Sequence, residues 1–518
     1  MIHYLKIMNT FAPDMNKFTS ILVAVSAVIV ASTAVAQQPE KVYPSASKLE
    51  YLVKVNDTIT SPYIKDFTDL YENAPGIFTF RGSPRRDMPH SGKLATRPTQ
   101  IKRVWCFNTA YDNRETKFGT WGGGSGWTGQ PLYVEWPDSL LERQRKESPA
   151  LTADFSKREI IVGSLASEVY FIDYESGRAS RKAHKSGNPI KGTVSLDPRL
   201  NGNLYIGQGI PASQPFGAEV FNLFSHKRIS FFDVDQYAWR RWSAYDGSAI
   251  VVDNFVIRPS ENGTIYKLTT TDKEVKVHSL MRYRLRGVNI APGIESSPVV
   301  WRNYLYTCDN RGNILCTNIE TLKPVWLYEN CDDSDATIVL AEENGRVVLY
   351  SGTEVDKQGD SGFCRFVKLD AMTGECIWEN KIACHKMKLP GKTSEGGMFA
   401  TPLLGRGNCE HLIFTNMCGM ESSKGNFLAI DRTTGKIVYE IPLSYYSWSS
   451  PVALYTPDNQ MFVVTGDVLG CLYLIDAVNG KVIHKMQGGN NFESSPIVVD
   501  DCIVVGSRGR EIYKFRVL

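Results

Sequence analysis

The chain repeats itself, and the period of that repeat limits what it can fold into. Ser450-Pro451-Val452-Ala453 returns 45 residues later as Ser495-Pro496-Ile497-Val498. Earlier copies stand at Ser297-Pro298-Val299-Val300 and Thr401-Pro402-Leu403-Leu404. A second signature keeps the same step: Asp431-Arg432-Thr433-Thr434-Gly435 becomes Asp476-Ala477-Val478-Asn479-Gly480. Further copies are Asp370-Ala371-Met372-Thr373-Gly374, Asp173-Tyr174-Glu175-Ser176-Gly177 and the degenerate Asn318-Ile319-Glu320-Thr321-Leu322. Eight residues past four of these Asp or Asn positions stands a bulky side chain: Trp326, Trp378, Tyr439 and His484.

Between the signatures lie β-branched and aromatic runs such as Met461-Phe462-Val463-Val464-Thr465 and Cys471-Leu472-Tyr473-Leu474-Ile475, which read as strands. Asp-x-x-x-Gly is a hairpin signal, because Asp hydrogen-bonds its own backbone and Gly supplies positive φ. Four strands in about 45 residues match one propeller blade. First strands start at Gly129, Gly192, Gly247, Ser297, Ala336, Thr401, Ser450 and Ser495, which makes eight units. The last unit stops at Leu518 after its third strand. Ile101–Phe107 supplies the missing fourth, with Trp105 in the bulky slot. The expectation is an all-β, eight-bladed propeller of four-stranded blades, its ring closed by pairing the N- and C-terminal strands so that no edge is left exposed.

The segment Leu472-Tyr473-Leu474-Ile475-Asp476-Ala477-Val478-Asn479-Gly480-Lys481 resembles the repeat of the PQQ-like (quinoprotein alcohol dehydrogenase-like) propellers, whose architecture is of the WD40/YVTN kind. Phe80-Arg81-Gly82-Ser83-Pro84-Arg85-Arg86 is similar to the lead-in before their first blade. The resemblance covers residues 77–518 and is weakest in the second and third units. It implies that Trp105, Trp326 and Trp378 dock one blade on the next. The family's enzymes hold a quinone beside Ca²⁺ or a lanthanide, use an Asp base, and often carry adjacent cysteines under the cofactor. No Cys-Cys dipeptide occurs here, and no Asp base matches a family motif. The family also has non-catalytic envelope members, among them the propeller lipoprotein of the outer-membrane barrel-assembly machinery. This chain is longer and lacks the lipid-attachment cysteine.

Residues 1–36 read as a signal peptide: Lys17, the apolar run Ile21–Val30, and the small-x-small site Ala34-Val35-Ala36. The run is short of the ~20 residues that span a bilayer. The mature chain is expected from Gln37 as a periplasmic or secreted protein without a transmembrane helix. Residues 37–76 read as an extension packed on the ring, with one short helix over Tyr63–Tyr71. Eleven cysteines are spread from Cys106 to Cys502 without a compact framework, and there is no Cys-x-x-Cys or His-x-x-x-His. A net charge of +3 with interspersed signs excludes the basic patch of a nucleic-acid binder.

Loops entering the first strands form a funnel in a propeller. Here they carry Trp121, Trp127, Glu295, Glu395, Met398, Tyr446, Trp448, Asn491 and Glu493. Aromatic rings with a few carboxylates suit a small ligand. The plainer reading is that glycines allow close approach at the axis and the aromatics plug the channel. Trp121-Gly122-Gly123-Gly124-Ser125-Gly126-Trp127 lacks the Gly-Lys-Ser/Thr of a phosphate loop. Arg240-Arg241 reads as a solvated edge or as a contact for an acidic partner. Glu295 and Glu493 precede the same motif in two units, as paired carboxylates for a cation or as backbone acceptors. No catalytic residue, metal or cofactor is assigned. The leading expectation is a monomeric, non-catalytic scaffold for an envelope protein or a small ligand. A PQQ-dependent dehydrogenase with quinone and Ca²⁺ in the funnel is the alternative. A hydrolytic role on envelope glycans is a third, with no pair of carboxylates positioned for it.

Overall fold

The computed structural model describes residues 41–56, 58, 69–88, 92–148, 150–289 and 292–518. The signal-peptide expectation and most of the Tyr63–Tyr71 helix lie outside them. Among the described residues, no helix is long and apolar enough to cross a membrane.

The described chain is built from antiparallel sheets in sequence order, at residues 132–185, 195–232, 250–285, 299–329, 339–385, 403–442 and 452–487. An eighth sheet takes three strands from 497–517 and its outer strand from Ile101–Asn108, with Ile101 opposite Val517 and Asn108 opposite Glu511. Inner strands are buried on both faces, as in Cys471–Asp476, and so read as unbroken apolar runs. Outer strands alternate, as in Ile437–Pro442.

Each Asp-x-x-x-Gly copy forms the third hairpin of its sheet. Asp370 Oδ1 accepts the N–H groups of Met372 and Thr373, and Asp431 Oδ1 those of Thr433 and Thr434. A β-bulge just beyond the hairpin recurs in the outer strands, for example at Val325, opposite Cys316 and Thr317, and at Ile377, opposite Lys368 and Leu369. The extra residue re-aims the side chain that follows it. Trp326 thereby donates its Nε1–H to the Ala371 carbonyl of the next sheet, at 3.0 Å. Trp378 does the same to Arg432 at 3.0 Å, and Trp105 of the eighth sheet to Tyr174 of the first at 3.0 Å. Tyr439 uses its hydroxyl on Ala477 at 2.6 Å. The hairpin Gly lies under the ring: a Cβ at Gly374 would stand 2.7 Å from Trp326, and its φ is 74°. The signature couples Gly and Trp because they meet across a sheet boundary.

The Ser/Thr of the Ser-Pro motif has an equally specific role. The N–H of Ser248 donates to Ser297 Oγ, Ser297 to Thr337, Thr337 to Thr401, Thr401 to Ser450, and Ser450 to Ser495, at 3.0 to 3.2 Å. Ser495 N–H then reaches the Gly129 carbonyl of the first sheet at 2.9 Å. Gln130 N–H bonds Thr193 Oγ1 at 2.8 Å, and Ser248 Oγ donates to the Thr193 carbonyl at 2.8 Å. Among the described residues, these bonds form a girdle that links each of the sheets named above to a neighbour in sequence order.

Residues 78–88 plug the girdle from one side. Arg81 and Arg86 are fully buried. Arg81 donates to the Pro451 and Pro402 carbonyls at 2.8 and 3.3 Å. Arg86 donates to Pro298 and Phe80 carbonyls at 2.9 and 2.7 Å. Backbone bonds add Leu196 to Phe78, Val300 to Pro84 and Leu340 to Arg85. Burial pulls the guanidiniums down, to about 9 for Arg81 and about 10 for Arg86, and both stay charged at neutral pH. The extension contributes a 3₁₀ turn, Pro44–Lys48, and a strand, Leu49–Val55, that pairs with the outer strand of the third sheet.

Candidate functional site

The side of the girdle opposite the plug is shaped by the residue two positions before each girdle residue. In sheet order these are Thr128, Lys191, Asp246, Glu295, Asp335, Phe399, Trp448 and Glu493. The residue between is always Gly, Ala or Ser. A Cβ at Gly247 would lie 2.5 Å from the Ser296 carbonyl, so neighbouring loops close tightly around the axis. The eight side chains converge and divide the funnel into an aromatic and an acidic half.

In the aromatic half Trp127 meets Trp448 at 5.0 Å between ring centroids and Trp121 at 6.1 Å. Trp448 also packs on Phe399 and Tyr446, at 5.1 and 5.4 Å. Edge-to-face contacts at these spacings are favourable beyond the area they bury. Arg508 stands over Trp121 at 5.2 Å and pairs with the buried Glu493 at 3.1 Å. Asn491 donates to the same carboxylate at 3.2 Å.

The acidic half gathers Asp246, Glu261 and Glu295 in one group and Asp333, Asp335 and Glu354 in a second. Lys191, itself buried, pairs with Asp246, lies 3.7 Å from Glu295 and stands 4.3 Å from the Trp127 ring. Glu261 Oε2 accepts Trp242 Nε1–H at 2.9 Å. Burial, then Glu295 and Asp246, push the Glu261 carboxyl well up. Burial, then Glu295 and Asp333, do the same to Asp335. Between the halves is a cavity of about 20 Å³ lined by Trp127, Thr128, Thr193, Asp246, Glu295, Ser297, Asp335 and Thr337, with Phe80 of the plug in its wall.

A hairpin, Tyr111–Thr116 with Gly119–Gly124, reaches across to this half. Its Phe118 packs on Trp242 at 5.9 Å, with Lys117 5.3 Å from the same ring. The hairpin is held to the first sheet by Asp112, which accepts from Arg114 and from Ser167 Oγ.

The structure brings Trp121, Trp127, Tyr446, Trp448, Asn491 and Glu493 together on one side and Glu295 on the other. It does not pair Glu295 with Glu493: the first faces Lys191, the second Arg508. Glu395 accepts from Ser394 Oγ, and burial, then the charges of Asp335, Asp333 and Glu395, push the Glu354 carboxyl well up. Met398 lies apart from these. It is fully buried in the core between the fifth and sixth sheets, its sulfur against Gly352, and lines no funnel. The charge of Arg240 acts on the buried Glu261 carboxyl and partly offsets the effect of burial there. Lys191, Asp246 and Asp335 escaped the sequence reading, although the register of Glu295 and Glu493 against the motif marks their positions in every unit. Glu261, on a hairpin outside the motif, had no such signal. Loop N–H groups that a phosphate would need are taken inside the protein: Gly124 N–H donates to Thr109 Oγ1 at 2.8 Å and Ser125 N–H to the Ser507 carbonyl at 3.1 Å.

The axis of the funnel is narrow compared with a quinone. A cofactor of that size needs a cavity of roughly 300 Å³ or more, and the space at the axis is about 20 Å³. The aromatic faces that would sandwich a planar ring pack on one another, and the eleven cysteines are dispersed with no two adjacent in sequence. An oxygen-liganded cation does fit the carboxylate set.

No family model matches the chain. The quinohemoprotein alcohol dehydrogenase ADHIIG of Pseudomonas putida HK5 superposes with a TM-score of 0.60 at 12% identity, over 86% of this chain and 81% of that one. A europium-containing methanol dehydrogenase superposes at 0.57 and 13% identity, over 86% of this chain and 99% of that one. The chain shares the β-propeller fold of these dehydrogenases. A curated relative of this propeller, outer membrane protein assembly factor BamB of Kangiella koreensis, is 26% identical over 153 residues. That stretch is 30% of this chain and 31% of the relative.

Proposed function

We propose that the chain is a closed eight-bladed propeller that works in the cell envelope by binding, as a non-catalytic scaffold for a protein partner or a small ligand. The observation that carries this reading is the filled axis. Trp127, Trp448, Phe399 and Tyr446 occupy the funnel from one side, and the Arg81–Arg86 plug occupies it from the other. A quinone dehydrogenase needs an open slot there. A binding ring needs a rigid axis and varied loops around it. The girdle that runs through every sheet supplies the rigidity and supports the count of eight blades. The partial likeness to an outer membrane assembly factor agrees with an envelope scaffold, as does the expected export.

The test places a photo-cross-linking residue at Tyr237, which is 81% exposed on the funnel-side loop before the third sheet. A control carries it at Asn344, on a hairpin of the opposite side. A discrete adduct in the envelope fraction from Tyr237 alone is expected. No adduct, together with PQQ-dependent dye reduction by the purified protein, contradicts the reading.

A further inference from the structure

We propose that the chain associates with a second copy of itself through the free edge of the Leu49–Val55 strand, the two strands pairing antiparallel about a two-fold axis at Leu52. This interface goes beyond the scaffold reading and does not depend on it.

Three observations carry it. The first is that this edge is open. The strand pairs with the outer strand of the third sheet in unbroken register, from Leu49 opposite Leu285 to Val55 opposite Ser279. Among the described residues, no other strand pairs with it. Successive pairs of an antiparallel ladder alternate between bonded and non-bonded. Asn56 N–H donates to the His278 carbonyl and Arg286 N–H to the Lys48 carbonyl, both at 2.8 Å, so the even-numbered residues bond inward. The N–H and C=O groups of Tyr51, Val53 and Val55 point away from the sheet. The second is that nothing blunts the edge. The outer strand of the first sheet has only two residues, His184–Lys185. Those of the second and of the fourth to eighth sheets each run past a bulge. Short and bulged edges resist pairing with another chain. The Leu49–Val55 strand has seven residues and no bulge, and its Tyr51, Leu52 and Val55 are 43, 53 and 50% exposed. A long, regular, apolar edge is a template for a further strand.

The third observation names the occupant: the strand is complementary to itself. Side chains alternate, so Glu50, Leu52 and Lys54 share one face. Laid antiparallel on itself with Leu52 opposite Leu52, the strand sets Glu50 of each copy opposite Lys54 of the other, and opposite charges in a cross-strand pair attract. Glu50 already pairs with Arg284 at 2.8 Å, yet its side chain is 40% exposed, and Lys54 is exposed. On the other face Tyr51 meets Val53 of the second copy, an aromatic ring against a β-branched side chain. The same register matches the outward groups. Tyr51 exchanges N–H···O=C bonds with Val53 of the second copy, and the two-fold repeats the exchange. Moving the axis to Val53 would keep such bonds but set Leu52 opposite Lys54 and Glu50 opposite Asn56. The contact is isologous, so it closes at two copies.

Purified mature protein is sedimented over a concentration series from low to hundreds of micromolar. A reversible monomer–dimer equilibrium is expected. V53P removes an outward N–H and no bond to the third sheet, and an edge strand tolerates proline at such a place. K54E sets like charges against each other at both Glu50–Lys54 pairs. Each variant should raise the dissociation constant about tenfold or more, because the two-fold doubles every change. E50K alone should do the same, and an equimolar mixture of E50K and K54E should recover the dimer, since each chain supplies the charge the other lacks. K436E, on the hairpin of the sixth sheet, should leave the equilibrium unchanged. Wild-type protein that stays monomeric across the series overturns the proposal. So does a dimer that V53P and K54E both retain, and so does a mixture that fails to recover it. Where V53P fails to fold, as its melting curve would show, K54E and E50K carry the comparison alone.

Discussion

Removing one hydroxyl from the girdle isolates its contribution. Ser450 is fully buried, and its Oγ accepts the N–H of Thr401 at 3.0 Å. Thr401 is 1% exposed, so water cannot replace the lost acceptor. S450A removes one atom and leaves one buried donor unpaired. The cavity term is small, and the expected cost is the desolvation of that N–H, about 1–3 kcal/mol. S450T keeps the hydroxyl, and threonine already fills the equivalent place in the fifth and sixth sheets as Thr337 and Thr401. It should cost less than S450A. Chemical denaturation gives the stability difference, and hydrogen exchange on a peptide covering 399–404 reads the Thr401 amide directly. Faster exchange there, in S450A and not in S450T, is the expected pattern. A change under about 0.5 kcal/mol with unaltered exchange, or a loss in S450T equal to that in S450A, refutes the girdle argument.

Three further outcomes follow from the same geometry. W326A empties a fully buried slot between the fourth and fifth sheets and removes the bond to Ala371, and should cost about 3–5 kcal/mol in a melting or denaturant assay. R86M keeps the volume of the plug but leaves the Pro298 and Phe80 carbonyls without their donor, and should cost about 2–4 kcal/mol by denaturant titration. Acid should release the hairpin that reaches over the funnel. Arg114 and Ser167 hold the Asp112 carboxyl down, to about 2 from 3.8, so its contribution is complete above pH 3.8 and disappears as the pH falls toward 2. Limited proteolysis at Lys117 across that range should show cleavage rising at the acid end, and D112N should show it already at neutral pH.

The motif positions were legible in the sequence because each serves a contact repeated at several sheet boundaries. The Ser of Ser-Pro accepts a neighbour's N–H, the hairpin Gly lies under a ring, and the bulky outer residue reaches the next hairpin. Trp105 was readable as the partner of the last unit for the same reason. The funnel was only half legible. The residue two places before the motif bonds nothing common to all units, so its identity varies from Lys191 to Trp448 and composition does not flag it. Register does, but only once the eight units are aligned. Glu261 and the Arg81–Arg86 plug lie outside the repeat, and Met398 misled because the loop before the sixth sheet turns it into the core while Phe399, its neighbour, faces the axis.

The most direct test of the filled axis is a calorimetric titration of the mature chain, from Gln37 to Leu518, with PQQ in the presence and absence of calcium. The account predicts no saturable heat from the quinone at tens of micromolar, because Trp127, Trp448 and Phe399 occupy the space a planar cofactor needs. Saturable, calcium-dependent quinone binding would mean that these rings part to admit a cofactor, and would contradict the reading of the propeller as a scaffold.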